Sequence, residues 1–261
     1  MTENFPDGYV KSSTEHGIMT IEFFHPKSNS LPAKLLDKLA HEIHYAGTHD
    51  TKVIILKSAG EGAFCAGASF DELAAVSNEK EGMNFFMGFA NVINAMRKCT
   101  KPIIGRIHGK SVGGGVGIAS AVDYAIAVEG VSVKLSELAI GIGPFVVGPA
   151  VERKIGTSAY SQLALDATMW RNSDWAKKKG LFAEVHESVS NMDDSIERLS
   201  NALAHSSPEA LSELKKAFWR GTEDWDQLLK ERAAISGRLV LKDFAKNAIQ
   251  TIMSKPSNKA E

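Results

Sequence analysis

The sequence predicts an α/β fold whose sheet is mainly parallel. Runs rich in β-branched residues alternate with segments whose apolar residues recur at helical spacing. Strands that alternate with helices are typical of parallel sheets built from right-handed crossover connections. Five strands are predicted, at 18–24, 52–58, 102–107, 123–128 and 131–135.

Two long helices are predicted between these strands. One begins at Pro32, a residue suited to the first turn of a helix, and is expected to end at Gly47. The other covers 83–98, where apolar residues again recur every three to four positions. Phe85, Phe86 and Phe89 on this helix either shape a pocket or form its core face.

Helices dominate the chain after about residue 157. Ser207 is predicted to cap a helix that places Pro208 at its first position and Leu211, Leu214 and Phe218 on one face. A last helix is predicted at 238–253. A boundary near residue 200 therefore divides the chain into a core of residues 1–200 and a helical region of residues 201–261.

Composition limits the classes of partner. The 30 basic and 31 acidic residues give a net charge of −1, which favours neither nucleic acid nor an anionic membrane surface. No apolar run approaches the roughly 20 residues that cross a bilayer. Cys65 and Cys99 are too few for a disulfide framework, and the first residues lack the layout of a secretory signal. We therefore expect a cytoplasmic protein.

A glycine cluster follows the predicted strand at 102–107. Gly113, Gly114 and Gly115 lie between this strand and a helix, so backbone N–H groups at the start of the helix are left exposed. Such donors, aided by the helix dipole, can stabilise negative charge on a carbonyl oxygen. The cluster is therefore a candidate half of an oxyanion hole.

A second loop of small residues supplies a partner for this cluster. It has the sequence EGAFCAGASFDEL, residues 61–73, and it follows the strand at 52–58. With FCAGA in this loop and GGG about fifty residues later, the chain resembles the enoyl-CoA hydratase/isomerase, or crotonase, superfamily over nearly its whole length. The resemblance implies that the N–H groups of Ala68 and Gly114 polarise the thioester carbonyl of an acyl-CoA.

The resemblance also implies an architecture, a cofactor portion and an assembly. The fold would be the crotonase spiral of ββα units, with the C-terminal helical region packing subunits into a homotrimer or a homohexamer. Coenzyme A would enter as part of the substrate, with no metal and no other cofactor. The coenzyme A site would comprise Lys27, Ser28, Ala66 and Lys255.

The resemblance further places the catalytic acids. Hydratases of the family carry two carboxylates, and the two positions correspond here to Gly117 and Glu137. Hydration uses two carboxylates to hold one water, whereas moving a double bond needs one base that returns the proton two carbons away. A lone Glu137 favours isomerisation of a 3-enoyl thioester. Its apolar neighbours Leu138, Ala139, Ile140 and Phe145 are expected to raise its pKa by desolvation, and Gly117 is expected to leave open space.

Other interpretations stay open at this point. An enoyl-CoA hydratase, including a lyase similar to methylglutaconyl-CoA hydratase, would need a replacement acid, for which Asp71 and Glu72 are candidates. GKSVG at 109–113 matches the nucleophile elbow of serine hydrolases and would make Ser111 the nucleophile, with His186 and His205 downstream. The lost acid is also compatible with a protein that binds coenzyme A esters without turnover.

Overall fold

The computed structural model describes residues 5–254, and within this range the chain forms nine strands, ten α-helices and a 3-10 helix. The strands are β1 (Tyr9–Glu15), β2 (Ile18–Phe24), β3 (Val53–Ser58), β4 (Ile103–Ile107), β5 (Ser111–Val112), β6 (Tyr124–Val128), β7 (Ser132–Lys134), β8 (Arg171–Asn172) and β9 (Glu184–His186). The helices are α1 (Ala33–Thr48), α2 (Phe70–Ala75), α3 (Glu79–Lys98), α4 (Gly114–Ala121), α5 (Gly148–Leu165), α6 (Ser173–Lys178), α7 (Val189–Ala204), α8 (Pro208–Phe218), α9 (Trp225–Leu239) and α10 (Asp243–Met253), with the 3-10 helix at Glu137–Ile140.

The strands form two sheets. The larger has the order β1-β2-β3-β4-β6-β9, and every neighbouring pair except β1 with β2 is parallel. The smaller has the order β5-β7-β8. The predicted mainly parallel α/β fold is therefore confirmed, and the five predicted strands agree with the observed ones to within one residue at most ends.

Strand β1 was not predicted, because its sequence YVKSSTE is polar and it forms an exposed edge of the sheet. A signal for it exists in the two residues that join it to β2. His16 and Gly17 both have positive φ, at 51° and 80°, and Glu15 pairs directly with Ile18. This is the geometry of a two-residue hairpin turn that favours glycine at its second position.

The predicted helices differ from the observed ones mainly at their ends. Helix α3 begins at Glu79 rather than at residue 83, because Asn78 caps it by accepting a hydrogen bond from the Glu81 N–H at 3.0 Å. The prediction of one helix over 238–253 is wrong, since α9 ends at Leu239 and α10 begins at Asp243. Ser207 caps α8 as predicted.

Helices α3 and α9 pack together more extensively than any other pair. Their backbones approach closely where Gly82 meets Gly237, because a Cβ added to Gly82 would lie 2.7 Å from the Gly237 Cα. Only glycine permits this approach. The crossing places Ser236, the neighbour of Gly237, against the cavity described below.

A buried polar cluster ties α8 to the larger sheet. The Asp123 carboxylate accepts hydrogen bonds from the Ile103 N–H at 2.8 Å, from Lys215 Nζ at 2.5 Å and from the Trp219 indole N–H at 3.2 Å. The Asp123 and Lys215 side chains are 7% and 3% exposed, so this ion pair is buried. Asp123 therefore anchors a C-terminal helix to the sheet.

The apolar interior consists of two clusters. The main core fills the space between the larger sheet and the helices around it. It includes Trp219, which follows the end of α8, and Trp225 and Leu229 of α9. A second, smaller cluster joins α10 to α2 and the 3-10 helix. Its buried members are Leu73, Ile140, Ile142, Val240, Ala245 and Ile249.

No helix within residues 5–254 has both the length and the apolar character that crossing a membrane requires. The predicted boundary near residue 200 stays a prediction.

Candidate active site

The two small-residue loops lie side by side. Single parallel bridges join Leu31 to Ala68 and Cys65 to Ser111, which holds the loop at 61–69 between the segment before α1 and strand β5. Gly67 has φ of 89°, and a Cβ at this position would lie 3.1 Å from the Val112 carbonyl oxygen and 3.5 Å from the Gly114 nitrogen. Glycine is therefore required here, both for its backbone conformation and for the contact between the loops.

The N–H groups of Ala68 and Gly114 have no backbone acceptor within residues 5–254. At Ala68 the pairing with Leu31 uses the flanking groups, with Leu31 N–H donating to the Gly67 oxygen and Ser69 N–H to the Leu31 oxygen. At Gly114 the N–H belongs to the first residue of α4, where no helical acceptor exists. Both residues line the same cavity, so it is bordered by two residues whose N–H groups have no backbone acceptor within the described part of the chain.

Glu137 lies against the glycine loop. It begins the 3-10 helix, which ends at Gly141 with a left-handed φ of 76°. A Cβ on Gly113 would be 3.0 Å from Glu137 Oε1, so a side chain larger than hydrogen at residue 113 would press on the carboxyl. Glu137 Oε2 is buried and has no hydrogen-bond partner among the described residues.

Burial raises the pKa of the Glu137 carboxyl to about 7, and a hydrogen bond from its own backbone opposes this shift only in part. The expectation that Leu138 and Ala139 cause the desolvation is wrong, because both are exposed. Ile140 and Phe145 do line the cavity beside Glu137, as do Ile142 and Val146. A carboxyl with a pKa near neutrality can both accept and return a proton.

The cavity itself is apolar. Three aromatic side chains of α3 line it, Phe85, Phe86 and Phe89, and Phe89 is at the same time a buried member of the main core. Both interpretations of these residues therefore hold. Among the described residues that line the cavity, only Glu137 has a titratable side chain, and Ser136 and Ser236 add hydroxyl groups. Sequence patterns gave no signal for Ser236 or Val147, because their place at the cavity depends on how separate helices pack.

The space expected at Gly117 is absent. A Cβ on Gly117 would lie 2.5 Å from Val147 Cγ1 and 2.8 Å from Val147 Cβ, so the valine side chain occupies that space. Val147, and not Gly117, lines the cavity. The prediction that Gly117 opens the pocket is therefore wrong.

Asp71 and Glu72 do not supply a second acid. Asp71 is exposed and forms an ion pair with Lys27. Glu72 accepts a hydrogen bond from the Ala33 N–H at 2.8 Å, at the start of α1. Neither carboxylate lines the cavity.

Three of the four residues predicted to bind coenzyme A, Lys27, Ser28 and Ala66, lie close together. Ala66 lines the cavity and donates its N–H to the Ser28 carbonyl oxygen at 3.2 Å. Ser28 has φ of 53°, and its neighbour Lys27 reaches Asp71 on the first turn of α2. The segment of residues 27–28 thus lies next to the loop that carries Ala68. Lys255 lies outside the described residues.

The arrangement expected of a serine hydrolase is not present around Ser111. This side chain is fully buried, and its hydroxyl has no hydrogen-bond partner among the described residues. His186 interacts with Glu184 at 2.7 Å, and His205 with the Asn201 carbonyl oxygen at 2.8 Å. Ser111 is not among the residues that line the cavity.

The chain is similar to known proteins of one family. The profile of the enoyl-CoA hydratase/isomerase family matches residues 13–255. The chain is 28% identical to a peroxisomal Delta(3,5)-Delta(2,4)-dienoyl-CoA isomerase of Arabidopsis thaliana, an alignment that covers 79% of this chain and 78% of the relative. It is 29% identical to a short-chain-enoyl-CoA hydratase of Clostridium acetobutylicum, with 87% and 86% covered.

The fold is shared with solved structures. The crystal structure of enoyl-CoA hydratase from Bacillus halodurans superposes with a TM-score of 0.85 at 21% identity, covering 93% of this chain and 99% of the other. This likeness confirms the predicted crotonase fold with C-terminal helices. By the extent of the family match, the chain belongs to the enoyl-CoA hydratase/isomerase family.

Proposed function

We propose that the protein is an enoyl-CoA isomerase that moves the double bond of a 3-enoyl-CoA to the 2-position. The observation that carries this proposal is that, within residues 5–254, Glu137 is the single titratable side chain that lines the cavity, together with two backbone donors that have no backbone acceptor. One base and one oxyanion hole are sufficient for a proton shift, whereas holding a water for hydration uses a second carboxylate.

The steps follow from the positions of these groups. The thioester oxygen accepts hydrogen bonds from the N–H groups of Ala68 and Gly114. Glu137 removes a proton from C2, and the electron pair of the broken C–H bond forms a C1–C2 double bond while the carbonyl π electrons move onto the thioester oxygen. The result is a dienolate in which C3 and C4 are still joined by a double bond and the negative charge rests on the thioester oxygen. The protonated carboxyl then delivers the proton to C4, which leaves the double bond between C2 and C3. A donor of this kind contributes ~3 to 4 kcal/mol to lowering the barrier.

Coenzyme A would enter only as part of the substrate, with its pantetheine and nucleotide near Lys27, Ser28 and Ala66. No metal and no other cofactor takes part in the proposed steps. A cytoplasmic location belongs to this proposal as well.

The direct test incubates the protein with matched 2-enoyl-CoA and 3-enoyl-CoA esters and identifies the products by mass and double-bond position. We expect the 3-enoyl ester to become the 2-enoyl ester at unchanged mass. A gain of 18 mass units, about the mass of one water, from the 2-enoyl ester would identify a hydratase instead. Binding of both esters without any product would identify a protein that binds coenzyme A esters without turnover.

Hydration is the second candidate, because relatives named as hydratases align with this chain as well as the isomerase does. The requirement for a second carboxylate can be tested by placing a glutamate at residue 117, where the Val147 side chain now occupies the space. We expect Gly117→Glu alone to lower the stability and give no hydration, because its Cβ meets Val147. The double variant Gly117→Glu with Val147→Gly should accommodate the carboxylate and hydrate crotonyl-CoA.

Thermal melts and hydration rates are measured for the two single variants and the double variant. We expect the effects of the two substitutions on the free energy of unfolding to be non-additive by about 0.5 to 3 kcal/mol, because the two side chains compete for the same space. Val147→Gly alone is the matched control, since it opens the space without adding the acid. Rapid hydration by the unmodified protein, slowed by Gly117→Glu, would contradict the isomerase proposal.

A homotrimer or homohexamer is proposed from the family resemblance, and the apolar face of α8 supports it. Leu214 and Phe218 on this face are 50% and 52% exposed in the single chain. In such an assembly, a second copy of the chain would cover this apolar face of α8. Light scattering should give a mass three or six times that of the monomer. Phe218→Asp should lower this mass. Leu165→Asp on α5 is the control, because Leu165 is also an exposed apolar residue and lies outside α8. A monomer at micromolar concentration would contradict this assembly.

A further inference from the structure

Two side chains close the cavity along α4. The ring of Phe89 lies over Gly114, because a Cβ on Gly114 would fall 2.2 Å from Phe89 Cε1. One turn later, Val147 occupies the corresponding space over Gly117. Both side chains are buried, at 5% and 4% exposed. An acyl chain whose carbonyl oxygen is held at Gly114 therefore meets these two groups within the length of one helical turn.

The opposite side of the cavity is closed by the second apolar cluster. Leu73, Ile140 and Ile142 line the cavity and also pack against α10. Phe244 of α10 covers Gly141, since a Cβ there would lie 2.5 Å from Phe244 Cδ1. Leu73, Ile140 and Ile142 therefore bound the cavity on the side of α10.

The volume that remains is about 80 Å³. An engineered apolar cavity of about 150 Å³ in another protein holds one benzene molecule, which has six carbons. By proportion, the cavity here has room for about three carbons, counted from the thioester carbonyl that Ala68 and Gly114 would hold at its lining.

We propose that Phe89 and Val147 limit the acyl chain to about three to four carbons, so that the substrates are short-chain acyl-CoA esters. This inference rests on the proposed function for the identity of the reaction, but the chain-length limit concerns binding and can be measured separately. Phe89 and Val147 are specificity-determining residues in this proposal and take no part in the proton transfer.

The experiment measures kcat/KM for 3-enoyl-CoA esters of four, six and eight carbons and, separately, Kd for butyryl-CoA and octanoyl-CoA, which have no double bond to move. We expect octanoyl-CoA to bind at least tenfold more weakly than butyryl-CoA, and kcat/KM to fall by at least as much. Phe89→Leu and Val147→Ala should each raise the preference for eight over four carbons at least tenfold.

Phe182→Leu is the matched control, because it shortens an equally buried phenylalanine that does not line the cavity. Its chain-length preference should not change. The second variant, Val147→Ala, keeps the test valid if Phe89→Leu does not fold.

The outcomes separate the two proposals. Discrimination in binding without isomerisation would reject the proposed function and leave the chain-length limit in place. Isomerisation with equal Kd for butyryl-CoA and octanoyl-CoA would reject the chain-length limit. The limit would also be rejected if Phe182→Leu changed the preference for eight over four carbons as much as Phe89→Leu and Val147→Ala do.

Discussion

Glu137→Gln is expected to lower kcat for 3-enoyl-CoA isomerisation by about 10² to 10⁴, the usual contribution of a positioned general base. The amide retains the shape of the side chain beside Gly113 but cannot take up and return a proton. Binding of a saturated acyl-CoA should remain within a few-fold of the unmodified protein, because the oxyanion donors belong to the backbone. Steady-state kinetics and calorimetric titration measure the two quantities.

The pH dependence should identify the same group. Because the Glu137 pKa is about 7, the carboxylate form that acts as base predominates above this pH and becomes a minor form below it. We expect kcat/KM to rise about tenfold per pH unit below pH 7 and to level above it. Stability should change in the opposite direction. The folded pKa exceeds the ordinary value of 4.5, so the folded state binds more protons than the unfolded state between these values.

The free energy of unfolding should therefore fall as the pH rises from about 4.5 to about 7, by ~3 kcal/mol at most for a shift of this size. Glu137→Gln should remove this fall along with the acid limb of the kinetic profile. Ser111→Ala is the control, because it changes a buried hydroxyl outside the cavity and should leave both profiles in place. An inactive but folded Ser111→Ala, together with an active Glu137→Gln, would replace the isomerase by a serine hydrolase.

Asp123→Ala is expected to cost about 3 to 5 kcal/mol of stability, the usual effect of removing one partner of a buried ion pair. The substitution leaves the Lys215 ammonium, which is 3% exposed, without its counter-charge. It also removes the acceptor for the Ile103 N–H and the Trp219 indole. For a chain of this length the melting temperature should fall by roughly 10 °C.

A second substitution distinguishes the buried charge from lost packing. Asp123→Ala with Lys215→Met removes both charges, so the double variant should be more stable than Asp123→Ala alone. Lys216→Met is the matched control, because Lys216 is exposed and pairs only with Glu213 on the same helix. If the melting temperature of Asp123→Ala were within about 2 °C of that of the unmodified protein, which is about the effect of an ordinary surface change, the anchoring role of this cluster would be contradicted.

Those parts of the molecule that depend on short segments were predictable from the sequence. The strands 18–24 and 102–107 and the cap at Ser207 follow from periodicity and from one hydroxyl before a proline. The glycine loop with free N–H groups was likewise evident, because three glycines between a strand and a helix allow few other structures.

The parts that depend on packing between distant segments were not predictable. Val147 is 30 residues from Gly117 in sequence, and only the packing of α5 near α4 shows that it occupies the space expected to be open. Asp123 becomes an anchor through Lys215, 92 residues later. The neighbours that desolvate Glu137 were misjudged for the same reason, since adjacent residues of a 3-10 helix point in different directions.

We expect α10 to open as a separate cooperative unit, because its buried contacts belong to the second apolar cluster. Six buried side chains fix this helix over the cavity, whereas the sheet shares the much larger main core. Detaching α10 exposes only the smaller cluster and therefore costs less free energy than unfolding the chain. Amide hydrogens of α10 should accordingly exchange with solvent far sooner than those of β3 and β4. Local opening of α10 would uncover Leu73, Ile140 and Ile142, the buried members of this cluster that also line the cavity.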